Sequence, residues 1–320
     1  MKATRRVAAL CVALGLALVA GCSKESKHER IVLGFSQIGA ESEWRTANTE
    51  SIKSAAATMN IDLRFADAQQ KQENQIKALR SFIAQKVDVI AFSPVVETGW
   101  DTVLQEAKAA KIPVILTDRS VTADPSLYAG FIGSDFVEEG RKAGRWVAER
   151  FKDATEDVNI VELQGTVGAG PAIDRKKGFE EIIATNPHLK IIRSQSGDFT
   201  RSKGKEVMEA FLKAEDRKIH VLYSHNDDMA IGAIQAIEEA GIKPGREMAI
   251  VSIDAVKGAF EAMIAGKLNA TIECNPLLGP QLMTSVVEVV AGREIPKRIV
   301  VDEQVFTMET AKQHIQQRKY

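Results

Sequence analysis

Short β-branched runs alternate with amphipathic stretches along most of the chain. The first pair is an apolar run at residues 31–35 and a helical pattern at 43–59, and the alternation continues to residue 117. In this first series the pattern predicts further strands and helices at 61–65, 73–85, 87–92, 102–110 and 112–117. Strands that alternate with helices of about 10 to 15 residues indicate βαβ units, and hence a parallel sheet covered by helices on both faces.

A second series of the same kind begins after residues 128–133. Its predicted helices and strands alternate at 136–151, 158–163, 174–184, 191–194, 202–214, 220–224, 228–240, 248–253 and 258–265. About five strands in each series suit one doubly wound sheet each. No long Pro-, Gly- or Ser-rich linker separates the two series. We therefore predict two α/β lobes joined by short crossings, which is the geometry of a hinge.

The N-terminus has the pattern of a targeting segment. A basic start precedes an apolar stretch at residues 7–19, which is shorter than the roughly 20 residues of a membrane-spanning helix. The stretch ends in Val19-Ala20-Gly21-Cys22, which resembles a bacterial lipobox. We expect residues 1–21 to be a lipoprotein-type signal peptide, Cys22 to carry lipid, and 22–30 to form a tether. The alternative is a plain cleaved signal with an incidental cysteine.

Composition narrows the classes of function. The chain has 320 residues, of which 45% are hydrophobic and 27% charged, so it is long enough for a core and is not disordered. Its 42 basic and 43 acidic residues give a net charge of -1, which provides no basic excess for nucleic acid. After removal of the signal, Cys274 would be the one cysteine beyond Cys22, so we expect no internal disulfide.

Common catalytic motifs are absent from the sequence. It contains no GxxxxGK[ST], HExxH, CxxC, EF-hand loop or GxSxG. The glycine-rich run at 165–170 does not have GxGxxG spacing and precedes Pro171, so we interpret it as a flexible strand-to-helix loop. The five histidines lack metal-ligand spacing. We assign no catalytic residue, no cofactor and no metal.

Polar and aromatic side chains recur directly after the predicted strands. In open parallel sheets the ligand crevice lies beyond the carboxyl ends of the strands. Carboxylates accept hydrogen bonds from vicinal hydroxyls, guanidinium groups donate to hydroxyl and ring oxygens, and aromatic faces cover C–H surfaces. We therefore predict a site for a neutral polyhydroxylated ligand, formed by Glu41, Trp44, Arg45, Asp118, Arg119, Arg175, Phe199, Asn226 and Asp254.

Each candidate also has a purely structural interpretation. Asp118 and Arg119 could form a surface ion pair, Asn226 could cap the following helix, and Trp44 could anchor a core. The recurrence of such residues at strand ends in both series favours the binding site.

Six longer segments carry a resemblance to a known family. They are 34–37 (Gly-Phe-Ser-Gln), 41–45 (Glu-Ser-Glu-Trp-Arg), 69–77, 161–169, 172–179 and 194–205. At these residues the chain resembles the periplasmic sugar-binding proteins of ABC importers, in the ribose-binding branch of the type I fold. Within that branch it is most similar to the galactofuranose-binding proteins, and the resemblance extends from residue 31 to about 310.

The resemblance implies a type I fold with crossings near Ser134, Asn275 and Gln304. The N-terminal lobe would comprise 31–134 plus 276–304, and the C-terminal lobe 135–275 plus 305–320. It also implies that seven of the candidates hold the sugar, with Trp44 and Phe199 as stacking walls. The protein would be an exported monomer, in the periplasm or on the outer surface of the cell membrane. It would capture a monosaccharide, above all galactofuranose, and deliver it to an ABC permease and its ATPase.

Three features depart from the family pattern. The ribose branch usually has Gln where Cys274 stands, which leaves open whether the neighbouring Glu273 compensates. A disulfide of the galactofuranose-binding proteins would fall near Val158 and His220, and neither is cysteine. Those relatives are soluble in the periplasm, whereas Cys22 indicates a lipid anchor.

Other classes of protein remain as alternatives. A binding protein of this kind could present its ligand to a membrane receptor instead of a permease. A secreted glycosidase would need two carboxylates about 5 to 10 Å apart, which Glu41, Asp118 and Asp254 could supply. A sugar-responsive repressor would need a DNA-binding helix-turn-helix, for which residues 23–30 are too few.

Overall fold

The computed structural model describes residues 30–215 and 218–320. The predicted signal peptide, Cys22 and nearly all of the predicted tether lie outside these residues. Within the described ranges, each helix is too short or too polar to cross a lipid bilayer.

The first of two sheets is entirely parallel. Its strands are β1 (Val32–Gln37), β2 (Asp62–Asp67), β3 (Val89–Phe92), β4 (Val114–Asp118), β5 (Gly130–Gly133) and β11 (Arg298–Val300). Their order across the sheet is β11-β5-β4-β3-β1-β2. Alternate residues of β3 enter two different apolar clusters, with Ile90 and Phe92 in one and Val89 and Ala91 in the other. This period of two places one core on each face of the sheet.

The second sheet repeats the same winding. Its strands are β6 (Val158–Gln164), β7 (Leu189–Ser196), β8 (Val221–Ser224), β9 (Ala249–Asp254), β10 (Ala270–Glu273) and β12 (Val305–Thr307). Their order is β12-β10-β9-β8-β6-β7, and only β12 is antiparallel to its neighbour. The predicted strands of this sheet are parallel, and β12 adds an antiparallel edge that was not predicted. The chain enters the second sheet from the third crossing, at the carboxyl ends of the parallel strands, so β12 runs back against them.

Ten helices are described. They are α1 (Glu43–Thr58), α2 (Gln72–Gln85), α3 (Asp101–Ala109), α4 (Phe136–Arg150), α5 (Gly170–Ile183), α6 (Arg201–Ala214), α7 (Asp227–Glu239), α8 (Lys257–Ile264), α9 (Gly279–Val290) and α10 (Ala311–His314). The largest difference from prediction is the start of α5, which we expected at residue 174. Pro171 does not end this helix because it lies in the first turn, where its missing N–H has no helical partner.

The chain passes between the two sheets three times. It leaves the first sheet after β5, returns after β10 to form α9 and β11, and leaves again between β11 and β12. The predicted fold class, two doubly wound α/β lobes joined by three crossings, is confirmed. The strands after residue 265 were not predicted, because strands of three or four residues carry too little periodicity. Helix α9 was also missed, although its 12 residues include an apolar face with Leu282 and Val286.

Candidate functional site

The carboxyl ends of the two sheets face each other across a narrow, partly open cavity. All nine predicted site residues line it, together with Ser42, Pro171 and Cys274. The strand-end argument therefore brought together residues from six separate parts of the chain.

The wall from the first lobe is a buried chain of alternating charges. The guanidinium of Arg45 lies 3.0 Å from Glu41 Oε1 through Nε and 2.8 Å from Asp118 Oδ2 through Nη2. Burial alone would lower the pKa of Arg45, but the two carboxylates raise it above its ordinary value. The N-cap Ser42 accepts a hydrogen bond from the backbone N–H of Arg45 and so fixes the start of α1 beside the cavity.

Arg119 extends this wall and has spare donors. Its Nη1 donates to the backbone oxygen of Val95 at 3.1 Å, and its guanidinium lies 5.2 Å from the ring centre of Phe199. Burial and the nearby Arg45 lower the pKa of Arg119 to about 10. Its Nε, like Oε2 of Glu41, is buried without a hydrogen-bond partner among the described residues. Such groups are costly unless a ligand supplies both an acceptor and a donor, as a hydroxyl can.

Arg175 on α5 is the centre of the opposite wall. Its Nε donates to Glu139 Oε2 at 2.6 Å and its Nη1 to the backbone oxygen of His225 at 2.6 Å. Its Nη2 lies 3.7 Å from Asp254 Oδ1. Burial raises the pKa of Asp254 well above its usual range, although Arg175 opposes this shift. The second lobe thus places two polar groups beside the cavity. They are the guanidinium of Arg175, which Glu139 and the backbone of His225 fix in place, and the carboxyl group of Asp254.

The structural interpretations of the candidates have different outcomes. Asn226 is the N-cap of α7, with Oδ1 accepting from the backbone N–H of Met229, yet it also lines the cavity. Trp44 is packed in the second lobe's core, and its Nε1 donates to the backbone oxygen of Cys274 at 2.6 Å. The surface-pair interpretation of Asp118 and Arg119 is wrong, since each is only 4% exposed.

Three cavity residues have a left-handed or otherwise strained backbone. Their φ angles are 61° at Asp118, 60° at Phe199 and 129° at Asp254. Such conformations cost about 1 to 3 kcal/mol each in residues other than glycine. Asp118 and Asp254 are the last residues of β4 and β9, so the strain occurs where the strands turn into the cavity.

The glycine-rich run is a close-packing element and not merely a flexible loop. A Cβ atom at Gly165 would lie 1.9 Å from Cζ of Phe199, so only glycine leaves room for this ring. The ring that covers Arg119 is thereby seated directly against the backbone after β6.

The class of protein follows from comparison with known families. A model described as a periplasmic binding protein domain matches residues 33–294. The chain belongs to the periplasmic binding protein family. Proteins of this family are exported to the periplasm and bind substrates without converting them, so the glycosidase alternative does not apply.

This periplasmic binding protein has several similar relatives. It is 50% identical over 293 residues to the galactofuranose-binding protein YtfQ of Escherichia coli (strain K12), covering 90% of this chain and 92% of that one. A crystal structure from Mycobacterium smegmatis in complex with β-D-fucofuranose has 58% identity and a TM-score of 0.89, covering 91% and 95% of the two chains. The binding component of an arabinose ABC transporter from Shewanella sp. ANA-3, bound to L-arabinofuranose, has 52% identity and a TM-score of 0.87 over 90% and 95%.

Sequence reasoning missed two acidic residues that support the site of this binding protein. Glu139 is fully buried against Arg175, and Glu303 is only 7% exposed. Glu139 could have been found, because it interrupts the apolar face of α4 that Phe136, Ala143 and Val147 form. Glu303 lies in a short crossing without any periodic pattern.

The two glutamates and Cys274 form a compact cluster, with one donor atom of each within 4.8 Å of the others. A cation there would lie beside the guanidinium of Arg175, which already binds Glu139. The like charges would repel, so we assign no metal to this cluster. Burial also raises the pKa of the Cys274 thiol well above its usual range. Glu273 does not line the cavity; its carboxylate binds Arg318 at 2.8 Å.

Proposed function

We propose that the protein captures one furanose monosaccharide between its lobes and delivers it to an ABC permease and its ATPase. The observation that carries the proposal is the cavity between the lobes, in which Arg119 Nε and Glu41 Oε2 are buried without hydrogen-bond partners among the described residues. A ring hydroxyl can donate to a carboxylate while accepting from a guanidinium, so a sugar satisfies both groups. We propose Glu41, Arg45, Asp118, Arg119, Arg175, Asn226 and Asp254 as the residues that hold it, with Trp44 and Phe199 as its stacking walls.

The chemistry of the relatives' sugars favours galactofuranose or a furanose of the same ring configuration. Galactofuranose, D-fucofuranose and L-arabinofuranose share the arrangement of their ring hydroxyls and differ only in the exocyclic carbons. The ring hydroxyls are therefore the groups that the buried charges recognise.

Closure of the lobes is the mechanism that we propose for capture and delivery. Contacts already join the two lobes around the cavity. The backbone N–H of Glu97 donates to the oxygen of Gly168 at 3.0 Å, and that of Glu43 donates to Asp228 at 2.8 Å. Arg201 bridges Glu43 and Asp228 at the rim. A sugar that meets both walls stabilises this closed form, which the permease would then recognise.

The sequence supports finer proposals on location and organisation. We propose that residues 1–21 are removed, that lipid on Cys22 anchors a monomer, and that the lobes have the boundaries given above. The Val-Ala-Gly-Cys run supports the anchor. The three crossings between the sheets support the boundaries.

Deoxy sugars test the proposed recognition of ring hydroxyls. We expect 2-deoxygalactose to bind at least about 100-fold more weakly than galactose, because a buried charged group then loses its partner. 6-Deoxygalactose, which changes only the exocyclic chain, should bind within about tenfold of galactose. Calorimetric titration of the protein, unfolded and refolded to remove carried-over sugar, measures both. Equal losses for the two deoxy sugars, or no binding of any of the three, would contradict the proposal.

A further inference from the structure

The three crossings between the lobes meet at one buried carboxyl group. Glu303 lies in the third crossing, and its Oε1 accepts a hydrogen bond from the hydroxyl of Ser134 in the first. The same oxygen accepts from the backbone N–H of Asn275 in the second crossing at 3.2 Å. A single side chain thus links all three connections of the hinge.

A second buried carboxyl group faces this one. Oε2 of Glu139 accepts a hydrogen bond from Arg175 at 2.6 Å, while its Oε1 has no hydrogen-bond partner among the described residues. Atoms of Glu139, Glu303 and Cys274 lie within 4.8 Å of one another. Two carboxyl groups so close together in a low dielectric cannot both be ionised, and one shared proton would satisfy the free oxygen of Glu139.

The surrounding charges determine which carboxyl group keeps the proton. Burial raises the pKa of Glu139, but the ion pair with Arg175 from α5 opposes this shift. Lys142 from α4 binds only the backbone oxygen of Glu303, at 2.7 Å. The other titratable groups that face or adjoin the pair are the Cys274 thiol after β10, Asp254 at the end of β9, and Asp302. Burial and the nearby Glu139 raise the pKa of Glu303 to about 9, although the hydrogen bonds from Ser134 and Asn275 lower it. Glu303 is therefore the neutral member.

We propose that Glu303 is a neutral acid that shares its proton with Glu139, and that this carboxyl pair joins the hinge crossings and positions Arg175. Ionisation of Glu303 would place two negative charges side by side and draw Arg175 away from the cavity. Only the effect on Arg175 as a sugar ligand rests on the proposed function. The proton itself is a property of the fold.

The proposal fixes the sign of a pH dependence. A carboxyl group whose pKa is higher in the folded than in the unfolded protein stabilises the fold at low pH, and this contribution is lost as pH rises through the folded value. Glu303 titrates near pH 4.3 when unfolded and near 9 when folded. Between these values its contribution to the folding equilibrium constant should fall about tenfold per pH unit.

Glu303→Gln tests this by replacing the proton with a permanent amide donor. The glutamine oxygen can still accept from Ser134 and Asn275, and its NH₂ can donate to Glu139 at any pH. Urea unfolding of the full chain without sugar, from pH 5.5 to 8.5, should show the wild-type folding constant falling about tenfold per unit relative to the variant. Glu261→Gln, at an exposed position of α8, is the matched control and should track the wild type. Parallel profiles for the wild type and Glu303→Gln would overturn the proposal.

A second measurement covers the case in which the glutamine variant does not fold. Wild-type protein with ¹³C in the glutamate side-chain carboxyl groups should show an infrared band of a protonated carboxyl at pH 7 that disappears near pH 9. Absence of this band would overturn the proposal.

Sugar binding distinguishes this inference from the proposed function. Galactose affinity should weaken from pH 5.5 to 8.5 in the wild type and stay constant in Glu303→Gln. If galactose does not bind to either protein, the proposed function fails while the unfolding and infrared results still decide on the proton. If it binds with the same pH profile in both, the positioning role of the pair is wrong.

Discussion

Arg119→Met is expected to weaken sugar binding by about 100-fold or more without destabilising the sugar-free protein. The guanidinium is 4% exposed, and its Nε has no hydrogen-bond partner among the described residues. Burial and Arg45 lower its pKa to about 10, so the group is still charged at neutral pH but less stable in that form than in water. Removing it loses a charge-assisted hydrogen bond to the sugar, worth about 2 to 5 kcal/mol once buried. Methionine fills much of the same space without a charge to desolvate.

Calorimetric titration and urea unfolding of the same variant check both halves of this result. Arg80→Met is the matched control, because Arg80 is about half exposed and bonded to Glu106 on the surface, away from the cavity. It should leave both affinity and stability near the wild-type values. An Arg119→Met protein that binds sugar normally would remove this residue from the site.

Arg175→Met is expected to lose both binding and stability. Glu139 would be left fully buried without the guanidinium that now binds it at 2.6 Å. Breaking a buried ion pair by removing one partner costs about 3 to 5 kcal/mol, because the remaining charge is uncompensated. Urea unfolding should register this loss, and calorimetry should detect no sugar binding.

A second substitution separates the two effects. Adding Glu139→Gln to Arg175→Met removes the stranded charge, so most of the lost stability should return. Sugar binding should not return, because no guanidinium reaches the cavity from α5. Recovery of affinity in the double variant would show that Arg175 acts only through the fold. Failure to recover stability would show that the ion pair is not the cause of the loss.

The residues that line the cavity were more predictable than the residues that support them. Each of the nine predicted site residues follows a strand or lies near the start of a helix that follows a strand. Parallel strands bring such positions to the same edge of a sheet. The local sequence pattern cannot show that one residue has two roles. Asn226, for example, both caps α7 and lines the cavity. Trp44 likewise sits on a helix of the first lobe but packs in the core of the second.

The hinge cluster was beyond sequence reasoning for a physical reason. Glu139 lies near the start of the second lobe and Glu303 in the third crossing, and they meet only because the chain crosses three times at one place. The strained backbone at Asp118 and Asp254 is equally invisible, since tertiary contacts hold it against the local preference of the residue. The antiparallel β12 depends on how the two sheets face each other, which no pattern within 305–307 encodes.

The ring form of the bound sugar is the most direct test of the central claim. Galactose labelled with ¹³C at its anomeric carbon exists in solution as interconverting pyranose and furanose forms, whose anomeric carbons give separate NMR signals. We expect one equivalent of sugar-free protein to bind the furanose form selectively, and Arg119→Met to abolish the bound signal. A bound pyranose signal, or no bound galactose at all, would contradict capture of a furanose between the two lobes.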